Sequence, residues 1–368
     1  MPVATGRADA ERVRRWPPKA VRAAPPPQGP PRPADLLLDG LAARVIDGPA
    51  AGMPAIGRAL DAFRGPDLDE DKGPRWLWPA GAVAVGVWDY ATWDLLSDRQ
   101  VWLARTSGQV TDLPLALTAR VCALAFAGDL TTAAALADEV RTVSEAIGAS
   151  MPLYGVLLVA AFQGDRAPDD ELFRTAEAEA ARRGEGGGVT ISHWSRAMLA
   201  NGHGRYKEAS AAAERAARHA TVGIGPAIWA LAEGVEAAAR GGTPRLGDAA
   251  LGRLTEATRP SGTDWALGIE ARCRALVNEE RPAADQHYQE AIDLLGRTPL
   301  RVESHGRTFS TASGCAAGIT GAPRAGTCAP PTTCSPPWAC SRSPGGRRAN
   351  CGAPVRARAG APPRPRAS

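Results

Sequence analysis

Lysine, histidine and cysteine are scarce in this chain, so most chemistry that could run on them can be checked residue by residue. A nucleotide-binding loop of the form G-x-x-x-x-G-K-[ST] needs a lysine followed by Ser or Thr to reach the phosphates and magnesium. Lys19, Lys72 and Lys207 are followed by Ala20, Gly73 and Glu208, so no such loop is present. The run Gly184-Glu185-Gly186-Gly187-Gly188 imitates a phosphate cradle. It follows the charged, helix-patterned stretch Glu171 to Arg183 and not a strand, so it reads as a flexible turn between helices. The five histidines (His193, His203, His219, His287, His305) form no H-E-x-x-H pair. Cys315, Cys328, Cys334, Cys340 and Cys351 never approach C-x-x-C spacing. No G-x-S-x-G elbow occurs, and Asp264 or the Glu279-Glu280 pair read as solvated helix charges. The acidic cluster Asp67, Asp69, Glu70 and Asp71 lacks the ligand spacing of a calcium loop. No catalytic, metal or cofactor site is expected, and the chain does not read as an enzyme.

The elements that would position any site are helical. With 44% hydrophobic and 22% charged residues over 368 positions the chain can bury a core, yet 40 Gly and 32 Pro exceed what one compact domain carries. Residues 1–33 are rich in proline and arginine and read as a largely disordered leader or linker. From Ala34 to Glu303 the apolar residues fall at helical spacing, with no sustained alternation of a strand. Trp265, Ile269, Cys273, Leu276 and Val277 share one helix face, with Glu270, Arg272, Arg274 and Glu279 placed largely elsewhere. Tyr206, Ala209, Ala213, Ala216, Ala217 and Ala220 make a second stripe, whose small residues let neighbouring helices approach closely. The uncharged run from Ala146 to Gly164 is too interrupted to cross a bilayer and reads as a buried helix. Trp76, Trp78, Trp88, Trp93 and Trp102 are expected to pack in the core, a ligand cage being the less favoured reading.

Breakers recur at a regular interval. Gly128, Gly164, Gly204 and Gly242 are separated by 36, 40 and 38 residues, which is the period of a helix pair. Gly128-x-Leu130-x-x-Ala133 and Gly204-x-Tyr206-x-x-Ala209 repeat around it: the glycine ends one helix in a left-handed turn and the alanine seats the next. Gly242-x-Pro244-x-x-Gly247 keeps only the small residues, and Arg281 stands where a further turn glycine belongs. The reading is all-α, a tetratricopeptide-like right-handed solenoid of roughly six to seven antiparallel helix pairs, with Trp265 among its packing residues. A non-repetitive helical bundle is the competing topology.

Ala23-Ala24-Pro25-Pro26-Pro27 with Gly29 to Ala42, Arg75-Trp76-Leu77-Trp78, Asn201-Gly202-x-Gly204-Arg205-Tyr206, and above all Ser261-Gly262-Thr263-Asp264-Trp265-Ala266-Leu267-Gly268-Ile269-Glu270-Ala271-Arg272 stand out as segments. They resemble the middle region of the large ATP-binding LuxR-family transcriptional regulators of high-GC bacteria. The resemblance spans residues 20 to 303. It implies a cytoplasmic sensor or interaction region that takes a protein, peptide or small-molecule inducer on its concave helical face. In that family an ATPase module precedes the region and a helix-turn-helix follows it. Neither pattern is found here, so the expectation is a truncated remnant that does not bind DNA sequence-specifically. A free-standing tetratricopeptide-like adaptor for another protein is the alternative.

Residues 304–368 hold nine of the 43 basic residues and no acid, leaving 34 basic against 39 acidic before them. Cysteine, proline and arginine rise there as the resemblance ends, and the segment is expected to be disordered. A frameshift accounts for this. The family continuation Glu-Leu-Ala-Arg-Ala-His-Leu-Leu-Tyr-Gly-Glu-Trp-Leu-Arg can be written in GC-rich codons. With one base deleted after the first codon it reads Glu303-Ser304-His305-Gly306-Arg307-Thr308-Phe309-Ser310-Thr311-Ala312-Ser313-Gly314-Cys315-Ala316, as found here.

Overall fold

The computed structural model describes residues 18–25, 29–65, 74–149, 154–164, 170–218 and 225–301. The tail 304–368, residues 1–17, the acidic cluster at 67–71, His219 and Ala220 lie outside the described residues. The chain divides after Arg324 into two units, and every described residue belongs to the first.

Among the described residues all regular structure is helical. Helix α1 covers 18–23. It is followed by α2 (Pro33–Asp47), α3 (Pro49–Arg64), α4 (Pro74–Gly86), α5 (Tyr90–Thr106), α6 (Leu113–Ala127), α7 (Leu130–Ala146) and α8 (Tyr154–Gln163). Then come α9 (Asp170–Arg183), α10 (Gly186–Gly202), α11 (Tyr206–Ala217), α12 (Pro226–Arg240), α13 (Pro244–Ser261), α14 (Asp264–Val277) and α15 (Arg281–Gly296). No described helix is long and apolar enough to cross a membrane.

Helix ends follow from local chemistry. Proline opens α2, α3 and α12, where its missing N–H would have no partner inside the helix. The same rule explains α1, which the leader's composition does not predict: Pro18 stands at its start and Lys19 to Ala23 contain no breaker. Gly128 ends α6 at φ 84°, and the next residue, Asp129, caps α7 by accepting the Thr132 N–H at 3.1 Å. Gly164, Gly204 and Gly242 also have positive φ, at 67°, 71° and 74°, after α8, α10 and α12. Where Arg281 replaces a turn glycine, Asn278 makes the bend by accepting the Glu280 N–H at 2.9 Å. The glycine run at 184–188 is not wholly a turn: Gly186 begins α10, and Gly188 lies within it, against the phenol ring of Tyr154.

Neighbours in sequence pack as neighbours in space. Helix α2 lies on α3, α4 on α5, α6 on α7, α10 on α11, α12 on α13 and α14 on α15, while α8 meets α9 more lightly. From α5 onward each odd-numbered helix also packs on the next even one, and α6, α8, α10, α12 and α14 touch in succession. Alanine permits this closeness in the middle of the array: Ala197, Ala212 and Ala213 form one buried cluster, and Ala200, Ala209 and Ala237 another. Late helices return to early ones, for α13 packs on α3.

The tightest crossing is α2 on α3. A Cβ on Gly52 would stand 2.3 Å from the Gly40 carbonyl oxygen and 2.7 Å from the Arg44 Cβ, and one on Gly40 would stand 2.8 Å from the Ile56 nitrogen. Backbone blocks backbone there, so no side-chain rotation relieves the clash. Gly52→Ala is therefore expected to cost about 1–3 kcal/mol, as overpacking does. Gly57→Ala, in the same helix with open space around it, should stabilise by about 0.5–1 kcal/mol. Urea denaturation midpoints check this, and equal behaviour of the two variants would contradict the close crossing.

Candidate functional site

The inner helices carry the largest buried side chains in one continuous group. Trp93 on α5, Phe126 on α6, Phe162 on α8, Trp194 on α10, Trp229 on α12 and Trp265 on α14 are joined by Trp88 and Tyr90 from the start of α5 and the turn before it. Phe126 sits at the middle. Its ring centroid lies 5.3 Å from Phe162, Trp229 and Trp265, 5.5 Å from Trp93 and 5.9 Å from Trp194, stacked on the last and edge-on or steeply inclined to the others. Trp88 reaches Trp265 at 5.0 Å and Trp229 at 6.1 Å. Such pairs each add about 0.5–1.5 kcal/mol beyond the burial of their surface. The rings fill the space between α6 and α14, so the inner face at this level is an interior and not an open groove.

The segment Ser261 to Arg272 supplies the junction's C-terminal side. Ser261 Oγ donates to the Val87 carbonyl, 174 residues away in sequence. Gly262 ends α13 at φ 65°, and Thr263 caps α14 by accepting the Ala266 N–H at 3.2 Å. Trp265 enters the ring cluster, and Gly268 leaves room for Leu295 of α15, whose Cγ a Cβ there would meet at 2.7 Å. Glu270 accepts from Thr258 and from Arg259 and pairs with Arg274.

The apolar face of α14 is buried, and so is part of its charged side. Trp265, Ile269 and Cys273 are buried, but so are Glu270 at 3% exposure and Arg272 at 1%. Helix α14 packs against α12, α13 and α15, so Glu270 and Arg272 are enclosed and must be paired. A second enclosed polar group joins α10 to α12, where Asn201 Nδ2 donates to the Glu233 carbonyl oxygen and to its carboxylate, each at 3.0 Å. On α12, burial works against the charge of Arg240, but Glu236 at 3.2 Å and the Tyr206 hydroxyl hold its pKa above the ordinary value.

Each of these carboxylates is engaged by a donor: Glu270 by Thr258 and Arg259, Glu233 by Asn201 and Glu236 by Arg240. No described cluster of His, Cys, Asp and Glu could hold a metal ion. The Cys122 thiol is pushed up to about 12 by burial, far from a nucleophile's range. The arrangement positions helices against one another.

Of the residues singled out by spacing, Trp265 is in the junction. The turn glycines Gly128, Gly164, Gly204 and Gly242 all follow even-numbered helices, whereas Leu130, Ala133, Tyr206 and Ala209 lie on α7 and α11, with both alanines fully buried. The early tryptophan group divides. Trp88 and Trp93 are core and Trp76 is half-buried against it, but Trp78 and Trp102 are 46% and 61% exposed, because α4 and α5 each turn one stripe outward. Spacing missed the most informative series. Trp93, Phe126, Phe162, Trp194, Trp229 and Trp265 are separated by 33, 36, 32, 35 and 36 residues, a period as clear as that of the glycines.

No family model matches the chain, and no curated protein matches it. Trp265→Ala should cost about 3–5 kcal/mol, since it empties the junction, whereas Trp102→Ala should change stability by no more than about 0.5 kcal/mol. Urea melts of the two variants check this, and similar losses would contradict the placement.

Proposed function

We propose that this chain is the sensor or interaction region of a LuxR-family ATP-dependent transcriptional regulator, built as a tetratricopeptide-like right-handed solenoid. The supporting observation is the segment Ser261 to Arg272. It carries the closest family resemblance, and its residues cap, seal, pair or fill at one junction. Six of them have identifiable structural tasks: Ser261, Gly262, Thr263, Trp265, Gly268 and Glu270. The succession of packed helices, each odd one seated between two even ones, supports the repeat architecture. A solenoid of this kind transmits: an inducer or peptide bound to the even helices re-spaces them, and the change reaches whatever module is attached. Because rings occupy the space between α6 and α14, an effector acts here by parting helices and not by filling a ready groove. A cytoplasmic setting accords with this role.

The test lies in the flanking DNA and in the purified chain. Translation in all frames should reveal a G-x-x-x-x-G-K-[ST] loop upstream and a helix-turn-helix downstream. The chain itself should not hydrolyse ATP, and any DNA affinity should be unselective and fall steeply with salt, as counterion release requires. Flanking genes lacking both modules, or a salt-resistant shift of one operator sequence, would contradict the reading.

A further inference from the structure

Trp88 is the one non-glycine residue with positive φ among the described residues, at 66°. At other helix ends in the array that conformation belongs to glycine, as at Gly48, Gly108, Gly128, Gly148 and Gly184. For a bulky side chain it is strained, and it persists only where surrounding structure holds it. The holding contacts come from the far side of the array. The indole is 3% exposed and packs edge-on against Trp265 and Trp229, while the neighbouring Val87 carbonyl accepts from Ser261 Oγ. The turn is also anchored on its own side, since Asp89 caps α5 and pairs with Arg64 of α3 at 3.0 Å.

We propose that this joint, between the α4–α5 turn and the α13–α14 turn, is a latch with a closed and an open state. Closed, the left-handed Trp88 lies against Trp229 and Trp265. Open, the Ser261 bond is broken, residues 87–89 relax to an ordinary turn, and the indoles of α12 and α14 are uncovered. Two features set the joint apart from the contacts between successive helices: it links residues 174 positions apart, and it is closed against a backbone strain that opening releases. The latch rests on this geometry alone and is independent of the regulator reading, which could fail without it.

Native-state hydrogen exchange on the full chain tests it. Ser261→Ala removes the bond to Val87 and leaves the rings in place. It should speed exchange at the Val87–Asp89 amides and at Gly262, Ala266 and Leu267 together, by about tenfold, the effect of one hydrogen bond. The amides of Gly204 and Arg205, bonded within the α10–α11 turn, should keep wild-type rates. Trp88→Gly removes the ring together with the strain. It should abolish the shared protection of the two turns while far-ultraviolet circular dichroism shows unchanged helix. Failure of the two turns to accelerate together in Ser261→Ala, or a uniform acceleration across all helices in both variants, would overturn the latch.

Discussion

Large aromatic side chains cannot be left singly on the inner face of a helical array without exposing apolar surface, and here eight of them meet in one interior. That burial is the constraint from which the rest follows. Rings borne on α5, α6, α8, α10, α12 and α14 touch only if these helices lie close together. The buried alanines of α10, α11 and α12 allow that closeness in the middle of the molecule. Late helices also rest on early ones, as α13 does on α3.

Enclosure then decides the fate of charge. On an exposed helix Glu270, Arg272, Glu233 and Glu236 would be solvated, but between neighbouring helices they are buried and must find donors or acceptors. The pairs formed add little net stability, because desolvation offsets most of the Coulombic gain. Ion pairs on the outside, such as Arg105 with Glu139 or Arg141 with Asp138, add little to this. A carboxylate already committed to Thr258, Arg259 and Arg274 holds helices in register and is poorly placed to exchange protons with a substrate.

The all-α character and several helix ends were legible from spacing because they rest on local rules. A glycine at the end of a helix, an alanine seated beneath it and a proline at the next start act over a few residues, and Gly128 with Leu130 and Ala133 carry that signal openly. Neither the return of α13 to α3 nor the bond between Ser261 and Val87 was legible, since no local pattern encodes contacts between segments so far apart in sequence. Burial of Glu270 and Arg272 was hidden for the same reason: one helix gives its own apolar face, but not how many neighbours cover its flanks. The aromatic period was present and readable, although Trp76, Trp78 and Trp102 obscure its beginning by adding rings that stay outside the junction. Nothing in residue spacing reveals the left-handed Trp88, because its conformation is imposed by partners more than 140 residues away.

The most direct test of the junction is a double-mutant cycle between Phe126 and Trp265, which are far apart in sequence and 5.3 Å apart as rings. Phe126→Leu and Trp265→Leu, singly and together, keep the interior apolar while removing the ring pair. Stability measured by urea denaturation should show a coupling of about 0.5–1.5 kcal/mol between the two sites. Additivity within about 0.3 kcal/mol would mean that the rings do not meet, and the account of a helical array closed on an aromatic interior would be wrong.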